Sequence, residues 1–309
     1  LAKAPTGGGP TAILFPGQGA QSVGMAGDWV EQNPAAADLF RRSSDILGYD
    51  LLEVCRSGPA ERLNTTAVSQ PAILVTSLAA IEVQRARDPA PLDAAPITAG
   101  LSLGEYTSLV FAGALGFDDA VRLVAERGRA MQDCADASPS GMVAVLGMER
   151  DAVAALCDAS RGDDVLQVAN ALCPGNIVVS GSLKACGRLE AAAEQAGAMK
   201  CVRLDVAGAF HTRLMEPAVE RLTAALAQAT LVPPRIPVVS NVDALPHTDP
   251  DEIRSLLARQ VVGVVEWNAS VAYILSTGVH SVMEIGPGRV LRGLMKRIDR
   301  TVAAVGVFD

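Results

Sequence analysis

Short apolar runs alternate along this chain with longer segments of helical periodicity. Ala12 to Phe15 is such a run, broken at once by Pro16-Gly17. That is the pattern of a buried strand ending in a tight turn. Asn33 to Leu47 reads as a helix, with Asn33 as N-cap and Pro34 at its first position, where a missing N–H costs nothing. Gln70-Pro71 opens a long apolar helix through Gln84, and Pro96 to Gly100 is a second short strand. Leu103 to Ala112 has the faces of a buried helix, and Asp118 starts an amphipathic one that runs to Cys134.

The texture then changes. Met142 to Leu146 reads as a strand, Glu149 to Ala159 as a helix, and Val165 to Ala169 and Ile177 to Ser180 as strands. Leu183 to Ala196 is a helix and Lys200 to Val206 a strand. The order β-α-β-β-α-β is the split βαβ, ferredoxin-like signature. It predicts a small subdomain, residues 136–207, inserted in a larger α/β domain of residues 11–135 and 208–309. Residues 1–10 read as a flexible leader. The larger domain resumes with a helix in "GAFHTRLMEPAVERLTAALAQ" and the strand Pro237 to Ser240. Two helical stretches to Ser276, the strand His280 to Ile285, a "GPG" turn and a basic helix complete it.

Composition narrows the function. Half of the 309 residues are hydrophobic, enough for a sizeable core, and only 4% are aromatic. The net charge of −8 argues against a nucleic-acid binder. The apolar segment Ile73 to Ile81 is interrupted by Thr76 and Ser77 and followed by Glu82, so no membrane span is expected. The six cysteines are scattered, with no C-x-x-C pair, and read as free thiols in a reducing compartment rather than metal ligands. The chain starts with Leu rather than Met, which leaves room for a removed targeting segment.

Four places could carry chemistry. Gly100-Leu101-Ser102-Leu103-Gly104 is a Gly-x-Ser-x-Gly pentad between a strand and a helix, the context of a nucleophile elbow. The alternative is that Ser102 merely caps the helix, with Glu105 closing a capping box. A nucleophilic Ser needs a base, and the chain has three histidines. His247 lies in an acidic, Pro-flanked loop and His280 begins an apolar strand. His211 sits at an element junction and is the best base, or else a simple helix-entry residue. The Gly-rich turn "FPGQGAQ" can offer backbone N–H groups to an oxyanion, or be a plain turn. Arg127, in "AERGRAMQ", can clamp a carboxylate, or be a solvated surface cation.

Together "LFPGQGAQSVGM", "GLSLGEYTSL", "ERGRAMQ", "VAGAFHTRLMEP", "SNVDA" and "EIGPGRVLRGLMKRI" resemble the malonyl-CoA:acyl carrier protein transacylases in order and spacing, from Thr11 to Ile298. The chain is most similar to the plastid and cyanobacterial branch. The resemblance implies an α/β-hydrolase-like core with an inserted ferredoxin-like subdomain. It implies Ser102 as nucleophile, His211 as its base, and the backbone N–H groups of Gln18 and Leu103 as the oxyanion hole. Arg127 and Met131 are implied as substrate-binding residues, Arg127 holding the malonyl carboxylate. The family orients its His through a main-chain carbonyl near a "PVxW" segment. Here that segment reads Val264-Val265-Glu266-Trp267, and Glu266 is the expected backbone acceptor. Leu101 stands where most members carry His.

The expected partners are malonyl-CoA and an acidic acyl carrier protein, with no metal or cofactor, and the expected acting unit is a monomer. In the basic C-terminal helix, Lys296, Arg297 and Arg300 are candidates for carrier docking, or else an ordinary solvated face. The expected reaction is a ping-pong malonyl transfer in fatty acid synthesis, in a plastid stroma or alternatively a bacterial cytoplasm. The rivals are a serine hydrolase, an acyltransferase for methylmalonyl or another extender, and a non-catalytic acyl-binding module.

Overall fold

The computed structural model describes residues 9–307. Residues 1–8 of the expected leader lie outside the described residues. Its strands are β1 (Thr11–Phe15), β2 (Thr98–Gly100), β3 (Ser140–Leu146), β4 (Leu166–Cys173), β5 (Asn176–Ser182), β6 (Lys200–Arg203), β7 (Val238–Val239), β8 (Pro246–His247), β9 (Ser281–Glu284) and β10 (Ala303–Gly306). They form two sheets. The larger runs β10-β9-β1-β2-β7-β8, parallel except for β8, which pairs antiparallel with β7.

Strand β1 shows how the period of two builds this sheet. Ala12 and Leu14 pack with Trp267, Leu291 and Leu294 on one face. Ile13 and Phe15 pack on the other with Ile73, Leu103 and Tyr106. A parallel sheet covered on both faces needs such continuous apolar strands. Both β8 and β10 are strands the sequence pattern did not mark.

The smaller sheet, β4-β5-β3-β6, is wholly antiparallel. With helices Arg150–Arg161 and Leu183–Gln195 it has the expected split βαβ order. Val143, Val145 and Val179 pack on its own helices through Val153, Cys157 and Leu189. Met142, Ala144 and Val178 face the other way and join the main core. The inserted sheet thereby roofs the larger one.

The buried helix begins at Thr66 and runs to Arg87, with Pro71 inside it. The sequence reading placed its start at Gln70-Pro71, where proline is most easily accommodated. Tertiary contacts move the start: the Thr66 N–H donates to the Gln132 side chain at 2.9 Å. By length and composition this helix could cross a bilayer, contrary to the expectation that no segment could. Here 78% of its most apolar stretch is buried inside the protein, packed against helices Pro34–Leu47 and Phe117–Asp136. Its apolar faces are a core's.

Chain direction places every strand-end loop of the parallel sheet at one edge. There the turn after β1 meets the turn after β2. A Cβ on Gly17 would lie 2.3 Å from the Leu101 carbonyl oxygen, and one on Gly104 2.3 Å from that of Phe15. On Gly100 it would lie 1.9 Å from the Gly104 carbonyl carbon. These contacts are with backbone, which cannot swing away, so both pentad glycines are steric requirements. Gly104→Ala is expected to destabilise the fold by roughly 1–3 kcal/mol or more through overpacking. Gly293→Ala, facing open space in helix Val290–Ile298, is expected to be neutral or stabilising by up to about 1 kcal/mol. Thermal denaturation of the two variants checks this; equal melting temperatures would contradict it.

Candidate active site

The pentad is a strained turn. Ser102 follows β2 with φ +49°, in the left-handed region, and helix Gly104–Phe111 starts two residues later. Non-glycine residues rarely sit there unless their surroundings hold them. Asn241, just past the end of β7, does the holding. Its Oδ1 accepts the Ser102 N–H at 2.6 Å and its Nδ2 donates to the Gly100 carbonyl at 2.8 Å. The Ser102 hydroxyl does not cap the helix, and Glu105 closes no capping box. Instead Ser102 Oγ lies 2.9 Å from His211 Nε2 and accepts from Arg127 Nη2 at 3.0 Å.

His211 is also held at positive φ, +60°. The expected helix from Gly208 starts only at Glu216, after a short 3-10 turn Arg213–Met215 that Thr212 caps. Residues 207–212 form a loop, pinned by the Ser140 and Thr212 hydroxyls on Ala209. His211 Nδ1 lies 2.8 Å from the Gln260 carbonyl oxygen. A carbonyl can only accept, so Nδ1 carries the proton and Nε2 turns its lone pair toward Ser102. Burial, and then the neighbouring Arg127 charge, push the imidazole down to about 4. It is a neutral base at physiological pH.

The acceptor for His211 corrects the reading from sequence, which gave this role to Glu266. Gln260 is the last residue of helix Pro250–Gln260, and the last carbonyls of a helix have no partner within it. Glu266 is committed elsewhere. Its N–H donates to the Asn241 carbonyl, and its own carbonyl accepts from Ser270. Its carboxylate takes Arg150 in a two-pronged ion pair at 2.6 and 2.7 Å. Val265, one residue before, pairs with β4 at Asn170.

Arg127 is 1% exposed, not a surface cation. Nη1 donates to Gln70 Oε1 at 2.8 Å, and Nη2 to Gln260 Oε1 at 3.0 Å as well as to Ser102. The guanidinium lies 5.5 Å from the centre of the Tyr106 ring. Its Nε has no hydrogen-bond partner. Among the described residues Arg127 makes no ion pair. Burial lowers its pKa, opposed in part by nearby Tyr106 and the Glu105 carboxyl.

A cavity of about 160 Å³ opens on these groups. Gln18, Ser102, Arg127 and His211 line it, with Met131 and Phe210 as apolar walls and Met142 and Val178 from the inserted sheet as roof. Met131 also receives the Gln70 side-chain N–H on its sulfur at 3.6 Å. Among the described residues the backbone N–H groups of Gln18 and Leu103 have no protein acceptor, and Leu103 directly follows Ser102. They are the donors an oxyanion beside Ser102 would meet. Lys296, Arg297 and Arg300 are not in the cavity. Lys296 and Arg297 are exposed in the last turn of the helix whose first residue, Val290, lines the cavity, and Arg300 is exposed just beyond its end.

Comparison with known proteins gives the family. Residues 13–304 match the family model described as an acyl transferase domain. The malonyl CoA-acyl carrier protein transacylase of Salmonella typhimurium is 42% identical over 296 residues, covering 95% of this chain and 94% of that one. The chain belongs to the malonyl CoA-acyl carrier protein transacylase family. The Escherichia coli K12 transacylase is 41% identical over 294 residues, with coverage of 95% and 94%. The structure of a Vibrio cholerae acyl carrier protein S-malonyltransferase superposes with TM-score 0.91 at 39% identity, covering 96% of both chains. A malonyl-transacylase solved in complex with its type II PKS acyl-carrier protein gives 0.93 at 37%, covering 97% of this chain and 96% of that chain.

Sequence reasoning missed Gln70, Gln260 and Asn241 as site residues and saw Glu105 only as a cap. Asn241 did lie within a motif typical of the transacylases, "SNVDA". The His211 environment has a measurable sign. The unfolded imidazole titrates near 6.5 and the folded one near 4, so between these values the unfolded chain binds more protons. This contribution to stability is present above about 6.5 and is lost as pH falls toward 4. In a histidine NMR titration the His211 ring is expected to remain neutral at pH 5. Half-protonation near pH 6.5 would contradict the burial argument.

Proposed function

We propose that this chain transfers a malonyl group from malonyl-CoA to the phosphopantetheine thiol of an acyl carrier protein, through a malonyl ester on Ser102, supplying fatty acid synthesis. One observation carries the reading: a single oxygen, Ser102 Oγ, touches both a neutral imidazole and a buried guanidinium. The first can take its proton. The second can hold a carboxylate next to the carbonyl it attacks.

In the first half-reaction malonyl-CoA places its carboxylate on Arg127, displacing neutral contacts with a charge-assisted pair. His211 Nε2 takes the Ser102 proton as Oγ bonds to the thioester carbonyl carbon. The carbonyl electrons move onto oxygen, which the Gln18 and Leu103 N–H groups stabilise. The carbonyl re-forms, the C–S bond breaks, and CoA leaves with the proton from His211. The carrier thiol then enters, gives its proton to His211, and the steps run in reverse. A base as weak as His211 suffices because a thiol is a far better leaving group than an amine.

The acceptor follows from the same geometry. The group behind His211 is a carbonyl, not the carboxylate of a hydrolase triad. The mostly apolar lining of the cavity disfavours water. Phe210 beside His211 supports an unbranched extender over methylmalonyl. The site is complete within one chain, which supports a monomer as the acting unit. The free cysteines suit a reducing compartment, a plastid stroma or a bacterial cytoplasm.

Intact-protein mass after incubation with malonyl-CoA tests the reading. A malonyl adduct on the wild type, absent from Ser102→Ala, is the expected result. CoA release without an adduct would favour hydrolysis, and neither would leave a binding module. Arg127→Ala is expected to lower malonyl loading about tenfold to a hundredfold, the loss of a charge-assisted contact of about 1.5–3 kcal/mol. Acetyl loading should fall less; an equal fall would contradict a carboxylate clamp. Charge reversal at Lys296, Arg297 and Arg300 is expected to raise KM for the carrier without changing malonyl-CoA hydrolysis. An unchanged KM would remove them from the docking surface.

A further inference from the structure

Glu105 is a buried carboxyl that the mechanism above does not use, and it does not line the cavity. Its Oε2 accepts from the Asn241 backbone N–H at 3.0 Å and from Gln260 Nε2 at 2.7 Å. These partners serve different halves of the site. Asn241 pins the Ser102 turn. Gln260 gives its carbonyl to His211 and its Oε1 to Arg127.

An amide side chain has two unlike ends, and exchanging them turns each good contact into a poor one. The Gln260 Nε2 end faces two acceptors, Glu105 and the Ser102 carbonyl at 3.1 Å, while the Oε1 end faces the donor Arg127. Of those acceptors Glu105 makes the shorter bond, and a carboxyl oxygen is the one that can select the amine end most strongly. We propose that Glu105 is a positioning residue for substrate selection: it fixes the Gln260 amide so that its oxygen orients Arg127 toward a malonyl carboxylate. Burial pushes the Glu105 carboxyl up to about 7, so holding it in this interior is costly. The inference rests on the transfer reading above.

The test is the ratio of malonyl to acetyl loading on Ser102, measured by intact mass from the two CoA thioesters. A role in overall stability alone would change the amount of folded protein and leave this ratio unmoved. Glu105→Gln can place an amide oxygen where Oε2 now sits, and is expected to keep the ratio within about threefold of wild type. Glu105→Leu is expected to lower it roughly tenfold or more, the scale of small misplacements in an active site. Gln260→Leu should lower it as far, and the double variant no further, because the two residues act in series. A tenfold fall in Glu105→Gln, a wild-type ratio in Gln260→Leu, or independent effects in the double variant would overturn the proposal. The first two settle it even where Glu105→Leu does not fold. A wild-type chain that takes no malonyl group overturns the transfer reading and this inference with it. A chain that loads normally with unmoved ratios overturns this inference alone.

Discussion

A buried guanidinium whose direct partners are all neutral organises this molecule; the buried Glu105 carboxyl acts on it only from behind Gln260. Arg127 is held by two glutamine oxygens and one hydroxyl, all neutral. Desolvating a cation costs several kcal/mol, and neutral acceptors recover only part of that. Under the proposed reading, this leaves an interaction in reserve for the malonyl carboxylate. Burial first, and then this same charge, keep His211 neutral, so Arg127 also bears on the basicity of the imidazole beside Ser102.

The fold makes this arrangement possible by bringing strand ends together. Gln18 follows β1, Ser102 follows β2 and Asn241 follows β7, three neighbours in the parallel sheet. β1 lies where the strand order reverses, with β2 on one side and β9 on the other, the place where open α/β sheets form ligand crevices. Close backbone approaches at Gly17, Gly100 and Gly104 compress the turns, and two left-handed residues, Ser102 and His211, face each other across the gap. The inserted sheet closes the cavity from above with apolar side chains.

Most of the layered architecture was legible in the alternation of short apolar runs and helical segments. The edge strands β8 and β10 were not, since β8 has two residues and β10 is only partly buried. Ser102 stood out by its glycines and His211 by the scarcity of histidines. Arg127 was visible as a residue type, but its burial depends on contacts between helices distant in sequence. Gln70, Gln260 and Asn241 carry no motif of their own. Their roles arise because helix Thr66–Arg87, the end of helix Pro250–Gln260 and the turn after β7 converge. The error over Glu266 has the same origin: nearness in sequence to a familiar segment did not reveal that its carbonyl was already used by a helix start.

The central claim is that Ser102 holds a malonyl group for a thiol rather than for water. The most direct measurement is the lifetime of the isolated malonyl-enzyme, followed by intact mass with and without a holo acyl carrier protein. The expected result is an ester that persists in buffer and disappears within the dead time when the carrier is added, with the malonyl group recovered on the carrier. An ester that decays equally fast in both conditions, releasing free malonate, would contradict it.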